Sequence, residues 1–204
     1  GTAEPNINNA KGVATLNMLK KLASLSNPDY LTHDSEAIKV EWESGKVALM
    51  TLWASRSGTL LDDEGDAKIT AATKLTGPAT VGGGNIPAAT LWWDGFTLAK
   101  NRSDSDAEAT FIALAHAASN KKMVADAADQ AVWLVEGFVP GPKSIGVIEA
   151  VKMGAKPYPM LPQMGLMHGA LGSEIVEFLQ GKESAEQALK DVEAAYISKA
   201  KEQG

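Results

Sequence analysis

Apolar residues in this chain recur mostly at helical spacing, and few runs have the continuity of a buried strand. The clearest strand candidates are residues 46–53, an almost unbroken apolar run, and residues 91–99; residues 68–74 are a weaker one. Few strands separated by helical segments predict the α/β class, rich in helix and poor in strand.

Capping residues and helix breakers mark the ends of the predicted helices. Asp34 and Ser103 are capping residues at helix starts, and Ser184-Ala-Glu-Gln187 is a capping box. Gly45 and Gly181 are expected to end helices. The predicted helices are residues 10–24, 34–45, 55–61, 103–118, 121–130, 145–152, 165–179 and 184 onward.

Composition excludes several classes of function. With 25 Asp and Glu against 19 Lys and Arg, the net charge of −6 provides no basic surface for nucleic acid or for an anionic membrane. The absence of cysteine removes disulfides, thiolate nucleophiles and Cys-based zinc sites. No stretch approaches the roughly 20 apolar residues of a membrane helix. The sequence shows no signal-peptide pattern. Because the chain opens at Gly1 and not at Met, we expect it to be processed, trimmed or cut from something longer.

Motifs for catalysis or metal binding are missing. His33, His116 and His168 lack metal-ligand spacing. Residues 55–58, Ser-Arg-Ser-Gly, lack the first glycine of a nucleophile elbow, and the glycines at 82–84 lack the lysine of a phosphate loop. We therefore expect no catalytic residue, no metal and no cofactor, and the chain favours binding over catalysis.

Five tryptophans outnumber both the phenylalanines and the tyrosines. Arg56 follows Trp53 closely, and Asp94 follows Trp92 and Trp93. An indole face beside a charged group suits a sugar, because the C–H face of the sugar lies on the ring and its hydroxyls take hydrogen bonds. The alternative is that the tryptophans are core residues. Adjacent strand residues face opposite sides, so at least one of Trp92 and Trp93 is expected to pack inward.

Four segments occur in an order that resembles one protein family. They are Glu41-Trp-Glu-Ser-Gly-Lys-Val-Ala-Leu-Met50, Gly95-Phe-Thr-Leu-Ala-Lys-Asn101, Pro159-Met-Leu-Pro-Gln-Met164 and Gly181-Lys-Glu-Ser-Ala-Glu-Gln-Ala-Leu-Lys190. Together they resemble the extracellular solute-binding proteins of bacterial ABC sugar importers, in the maltodextrin-binding-like cluster.

The resemblance implies a two-lobed periplasmic binding protein fold with the ligand in the cleft between α/β lobes. The family's members are much longer, so the resemblance implies the carboxyl-terminal half only. Residues 1–92 would then be part of ligand-binding lobe 2, and residues 93–140 a segment of lobe 1. Residues 141–204 would return to lobe 2 with the terminal helices. Exposed apolar surface on the lobe 1 segment would favour self-association.

The resemblance also implies a function and a set of ligand-binding residues. The family's platform aromatic falls on Trp53, the cleft position after the second strand falls on Trp92, Trp93 and Asp94, and a further aromatic position falls on His168. With Arg56, these residues would bind a sugar or sugar alcohol without chemistry and deliver it to a membrane permease. The expected location is periplasmic, or extracellular with a lipid anchor.

Two other functions are weighed against sugar capture. An isolated structural or interaction domain would have no small-molecule site, and its tryptophans would be core. A glycosidase would need two carboxylates roughly 5 to 9 Å apart, and Asp94 is the only carboxylate that we place in the cleft.

Overall fold

The computed structural model describes residues 4–62, 64–128, 130–133 and 136–203. The chain divides into two compact units. The first combines the amino-terminal segment up to His33 with the segment from Pro159 onward, and the second is Asp34–Tyr158. The predicted lobe boundaries at 92/93 and 140/141 both fall inside the second unit, and the assignment of segments to lobes stays a prediction.

Helix is the main regular structure of the described residues. Short 3-10 turns lie at Tyr30–Thr32, Gly58–Leu61 and Pro142–Ser144. The helices are α1 (Ala10–Ala23), α2 (Ser35–Glu43), α3 (Ala54–Ser57), α4 (Ala67–Ala72), α5 (Asp104–Ser119), α6 (Lys121–Asp126), α7 (Ile145–Lys152), α8 (Pro162–Leu179) and α9 (Ala185–Gln203). The strands are β1 (Thr90–Leu91) and β2 (Lys156–Pro157).

The helix starts predicted from capping residues are confirmed. The Asp34 carboxylate accepts two backbone N–H bonds, of 3.1 and 2.9 Å, at the start of α2. Ser103 accepts one of 3.2 Å at the start of α5, and Ser184 accepts one of 3.1 Å at the start of α9. The bond to Ser184 is the first half of the predicted capping box, and the Gln187 side chain donates through Nε2 to Asp191 at 2.8 Å. The helix predicted over 121–130 ends at Asp126.

The first unit is a bundle of α1, α8 and α9. The two long helices α8 and α9 pack against each other, and α1 contacts both. Apolar side chains from all three helices fill its interior. The buried residues are Leu16, Ala170, Phe178, Ala185, Ala188, Leu189, Val192 and Tyr196.

Two of the predicted strands are wrong. Residues 46–53 form no regular structure, and Leu49 is 90% exposed. The apolar run fits a strand, but the structure gives it no partner strand among the described residues. Residues 68–74 overlap helix α4, because the Asp66 carboxylate accepts from the N–H groups of Lys68 and Ile69 at 2.7 and 3.4 Å and caps a helix there.

The strand predicted over 91–99 is correct only at its start. Thr90 and Leu91 pair in parallel with Lys156 and Pro157, and the Tyr158 N–H donates to the Leu91 carbonyl at 2.9 Å. Both strands have only two residues, and residues 92–99 are irregular. Helices α5, α6 and α7 lie between the two parallel strands in sequence. The helix-rich, strand-poor part of the fold prediction is therefore confirmed.

The second unit buries few apolar side chains for its length. Those that are buried among its described residues are Leu60, Val124, Ala150 and Ala155. Helix α7 contacts α3 and β1, so it connects the two parts of this unit that carry predicted site residues.

Candidate functional site

Trp53 and Arg56 lie on one turn at the start of α3. The Trp53 carbonyl accepts the N–H groups of Arg56 and Ser57, each at 2.9 Å, which fixes the register of this turn. The Trp53 side chain is 61% exposed. The structure therefore contradicts the interpretation of Trp53 as a core residue.

An open groove of about 400 Å³ lies beside this turn, and we call it the polar groove. All but one of its lining side chains carry hydroxyl, carboxylate or cationic groups. Such a mixture can donate to and accept from the hydroxyls of a sugar or polyol. Trp53 lies in sequence between the lining residues Leu52 and Ser55 but is not part of the lining. The lining residues are Ser35, Glu36, Lys39, Leu52, Ser55, Arg56 and Thr59.

Arg56 is oriented by Glu36, whose Oε1 lies 2.6 Å from Arg56 Nη1. Both side chains are half or more exposed. An exposed pair of this kind adds little to stability, because solvent screens it. Its consequence is geometric: the guanidinium is held at the groove with further N–H groups able to donate.

Lys39 lies at the centre of a carboxylate cluster at the edge of the same groove. Its Nζ is 2.6 Å from Glu64 Oε2, 3.4 Å from Glu43 Oε1 and 3.6 Å from Asp62 Oδ2. The hydrogen bond to Glu64 is the main reason why the pKa of Lys39 is raised, and the Asp62 and Glu43 carboxylates raise the pKa further against the effect of burial. Lys39, as a charged group, therefore links helix α2 to the loop that carries Asp62 and Glu64.

Aromatic side chains form a separate cluster directly after the two strands. The rings of Trp92 and Tyr158 stack with centroids 3.9 Å apart and planes inclined by 26°. Because β1 and β2 are parallel, the residues that follow them lie at the same edge of the pair. The Trp92 Nε1 donates to Thr90 Oγ1 at 2.9 Å, which fixes the indole further.

Trp92 and Trp93 are both about half exposed, at 51% and 53%. The expectation that at least one of them packs inward is wrong. Alternation between two faces applies within a strand, and β1 ends at Leu91, before either tryptophan. Asp94 follows them in the irregular segment and is exposed.

Tyr158 is the aromatic residue that the sequence analysis missed. It stands between Pro157 and Pro159. An aromatic residue held between two prolines, directly after a strand, is a signal that could have identified it, because each proline fixes its own φ angle.

The predicted site residues fall in both units. Trp53, Arg56, Trp92, Trp93 and Asp94 belong to the second unit. His168 lies on α8 of the first unit and is exposed.

The remaining tryptophans have structural roles. Trp42 and Trp133 are partly buried, and each uses its indole N–H within the fold. Trp42 donates to Thr73 Oγ1 at 2.9 Å, and Trp133 donates to the Ala127 carbonyl at 3.0 Å. These two tryptophans are thus more buried than Trp53, Trp92 and Trp93, although neither belongs to the buried core.

Metal-binding clusters and membrane-spanning helices are both absent from the described part of the chain. No three side chains of His, Asp or Glu are grouped there so as to hold a metal ion. Among the helices described, none has the length and apolar character needed to cross a membrane.

Comparison with protein-family models and with curated proteins finds no match for this chain.

Proposed function

We propose that this chain is the carboxyl-terminal half of a solute-binding protein of an ABC importer, and that it captures a sugar or sugar alcohol without chemistry. The four segments that resemble this family support the proposal. The parent protein, periplasmic or held outside the membrane by a lipid anchor, would deliver the ligand to a membrane permease. It would have two lobes that close on the ligand.

The observation that carries the proposal is the exposure of Trp53, Trp92 and Trp93. Each leaves more than half of its side chain accessible, at 61%, 51% and 53%. Burying apolar surface stabilises by roughly 25 cal/mol per Å², so exposed indoles forgo stabilisation that the fold could otherwise gain. A flat apolar ring that remains accessible suits the C–H face of a sugar.

The polar groove and the stacked pair of Trp92 and Tyr158 would supply complementary chemistry for such a ligand. In this proposal the polar groove provides hydrogen bonds, with Arg56 able to donate to two neighbouring hydroxyls. The stacked pair of Trp92 and Tyr158 provides a rigid apolar surface, because each ring restrains the other. Helix α7 supports both clusters through its contacts with α3 and β1.

The proposal is tested by titrating the complete gene product with monosaccharides, disaccharides and polyols. We expect one class to change tryptophan fluorescence saturably and to give a matching calorimetric isotherm. Trp53→Ala should weaken binding by about 2 kcal/mol, roughly 30-fold. Leu49→Ala is the matched control, because Leu49 is also exposed and lies in the same irregular segment; it should leave affinity unchanged.

Two outcomes would contradict the sugar assignment. One is the absence of any response across the panel in the complete gene product. The other is equal affinity of Trp53→Ala and the unchanged protein, which would remove the platform role of Trp53.

The second candidate function is an interaction domain with no small-molecule site. The exposed apolar face of helix α5, with Phe111 at 64% and Ile112 at 59% exposure, favours it. A silent ligand panel together with association through α5 would select this function.

A further inference from the structure

Glycine follows an aspartate or an asparagine at a single place in the 204-residue sequence, where Gly95 follows Asp94. At such a pair the backbone nitrogen of the glycine lies within reach of the side-chain carbonyl carbon of the aspartate, and the two can close a five-membered ring. Glycine permits this closure better than other residues, because it has no Cβ and its backbone adopts a wide range of angles. The sequence therefore marks Asp94 as the side chain with which the main chain can react most easily.

The structure leaves both reacting groups exposed and unpaired. Asp94 and Gly95 lie in the irregular segment after β1, and both are exposed. Within the described residues, neither the Asp94 carboxylate nor the Gly95 N–H takes part in a hydrogen bond or an ion pair. A Cβ placed on Gly95 would have no atom within 4 Å beyond the adjoining residues. No hydrogen bond to a described residue therefore has to break before the nitrogen and the carboxyl carbon approach each other.

The main chain around this pair is held only at the two ends of the segment. The Leu91 carbonyl accepts the Tyr158 N–H at 2.9 Å. The Ala99 carbonyl accepts the Arg102 N–H at 3.2 Å. Between these points, residues 92–98 form no backbone hydrogen bond with any described residue. Such a segment can change its backbone angles at low cost in free energy, and ring closure requires a change of this kind at the aspartate.

Two other aspartates precede serine, which is also small, and both pairs lie at helix starts. The Asp34 carboxylate caps α2 by accepting two backbone N–H bonds, of 3.1 and 2.9 Å, so it is engaged before it could react. Asp104 and Ser105 belong to the first turn of α5. Helical geometry fixes both backbone angles of Asp104, so ring closure there requires the first turn to open.

We propose that Asp94 is a site of spontaneous isoaspartate formation. The Gly95 nitrogen attacks the side-chain carbonyl carbon of Asp94; an N–C bond forms, a C–O bond breaks, and one water molecule leaves with the amide hydrogen and one carboxyl proton. Water then adds to one of the two ring carbonyls. Opening at the side-chain carbonyl restores aspartate, and opening at the backbone carbonyl gives isoaspartate. The overall change is an isomerisation that needs no oxidant, reductant or enzyme.

The product alters the main chain next to the exposed indoles. In isoaspartate the chain runs through the former side-chain carbon, which adds one methylene between Trp93 and Gly95 and leaves the carboxylate one methylene shorter. Trp93 is 53% exposed, so the change falls at an accessible surface and not in the core. The inference depends on this pair of residues and not on the proposed sugar site.

Peptide mapping of the 204-residue chain after warm incubation at neutral pH tests the proposal. Proteolysis followed by electron-transfer fragmentation distinguishes isoaspartate from aspartate, because the two break differently along the main chain. We expect isoaspartate to accumulate at residue 94 at least about 10-fold faster than at residue 34 or 104, a difference of about 1.4 kcal/mol in activation free energy. Similar rates at all three positions, or a faster reaction at another aspartate, would overturn the proposal.

The same incubation in urea separates the effect of the fold from that of the sequence. Unfolding releases the Asp34 carboxylate from its two N–H bonds, so the rate at residue 34 should rise toward that at residue 94. The rate at residue 94 should change by less than about 5-fold, because the folded segment already allows ring closure. A larger increase in urea would show that the fold protects this pair and would overturn the proposal.

Two substitutions should slow the reaction without disturbing the fold. Gly95→Ala adds a methyl group where no other atom lies within 4 Å, so its circular dichroism spectrum should not change. The added Cβ should slow ring closure by about 5-fold. Asp94→Glu keeps the charge but would need a six-membered ring, so it should give no isomerised product. Isoaspartate formation in Gly95→Ala as fast as in the unchanged chain would contradict the role of the glycine.

Asp94→Asn is the matched positive control. Ammonia leaves in place of water, and the amide closes the ring more readily than the acid does. The variant should therefore form aspartate and isoaspartate at least about 10-fold faster than the unchanged chain isomerises. Mass spectrometry of the intact chain follows this conversion of an amide to an acid. An asparagine that stays intact at this position would show that ring closure is blocked there, and it would overturn the proposal.

Discussion

The two units of this protein use their apolar residues differently. The first unit has three helices and directs aliphatic and aromatic side chains from each of them into a common interior. The second unit is longer, yet it buries only a few small or medium apolar residues among those described and leaves Trp53, Trp92, Trp93 and Phe111 exposed. The difference teaches that the second unit has surface available for recognition, whereas the first is stabilised by its own packing.

The largest expected effect comes from truncating a phenylalanine in each unit. Phe178 is 3% exposed in the first unit, so Phe178→Ala should lower the free energy of unfolding by about 3–5 kcal/mol. Phe111→Ala, at a 64% exposed position, should change it by less than about 0.5 kcal/mol. Urea unfolding followed by circular dichroism measures both. Similar values for the two variants would break the comparison between the units.

The next effect concerns the carboxylate cluster around Lys39 in the second unit. Lys39→Met should destabilise the protein by about 1–2 kcal/mol, because Glu43 and Asp62 would be left partly buried without their cation. Adding Glu43→Gln to this variant should restore part of the loss, since it removes one of the uncompensated charges. Urea unfolding of both variants tests this, and a further loss in the double variant would contradict it.

Removing the same cap from one helix in each unit gives a smaller and sharper comparison. Ser184→Ala should cost about 1 kcal/mol of global stability, because α9 is part of the packed bundle. Ser103→Ala removes an equivalent bond at the start of α5. Because α5 has no buried residue, the change should mainly increase local amide hydrogen exchange in its first turn. Equal global losses would show that α5 is more strongly integrated than its exposure indicates.

The smallest effect is a pH dependence at the start of the second unit. The N–H of Ala37, with that of Glu36, lowers the pKa of Asp34 below its ordinary value of 3.8. A lowered pKa in the folded state contributes stability above the ordinary value, and this stability is lost as the pH falls through the folded pKa. Asp34→Asn keeps a capping oxygen that cannot titrate, so its melting temperature should fall less between pH 5 and pH 2 (about one unit above to two below the ordinary pKa). Parallel melting curves would rule out this role for Asp34.

The parts of the fold that depend on local chemistry could be predicted from the sequence. Asp34, Ser103 and Ser184 cap helices because an oxygen acceptor within three residues satisfies free N–H groups, and this needs no distant partner. The strand predicted at 46–53 failed for the opposite reason. An apolar run indicates burial or extension, but a strand also needs a partner, and partners are distant in sequence.

The candidate site also has features that depend on neighbouring residues and features that depend on residues distant in sequence. The position of Arg56 one turn after Trp53 follows from adjacent residues, whereas the sequence left open whether Trp53 is buried or exposed. The stack of Trp92 on Tyr158 depends on the register of β1 with β2, which brings together residues more than sixty positions apart. The spacing of residues in the sequence does not reveal this register.

Pro157 in β2 and Pro159 just after it have one more consequence. The Tyr158 N–H points toward Leu91, so the backbone nitrogens of Pro157 and Pro159 face the opposite, outer side of β2. Proline carries no hydrogen there to donate. A foreign strand that approached this edge would meet carbonyls without alternating donors, which disfavours strand pairing on the β2 side of the sheet.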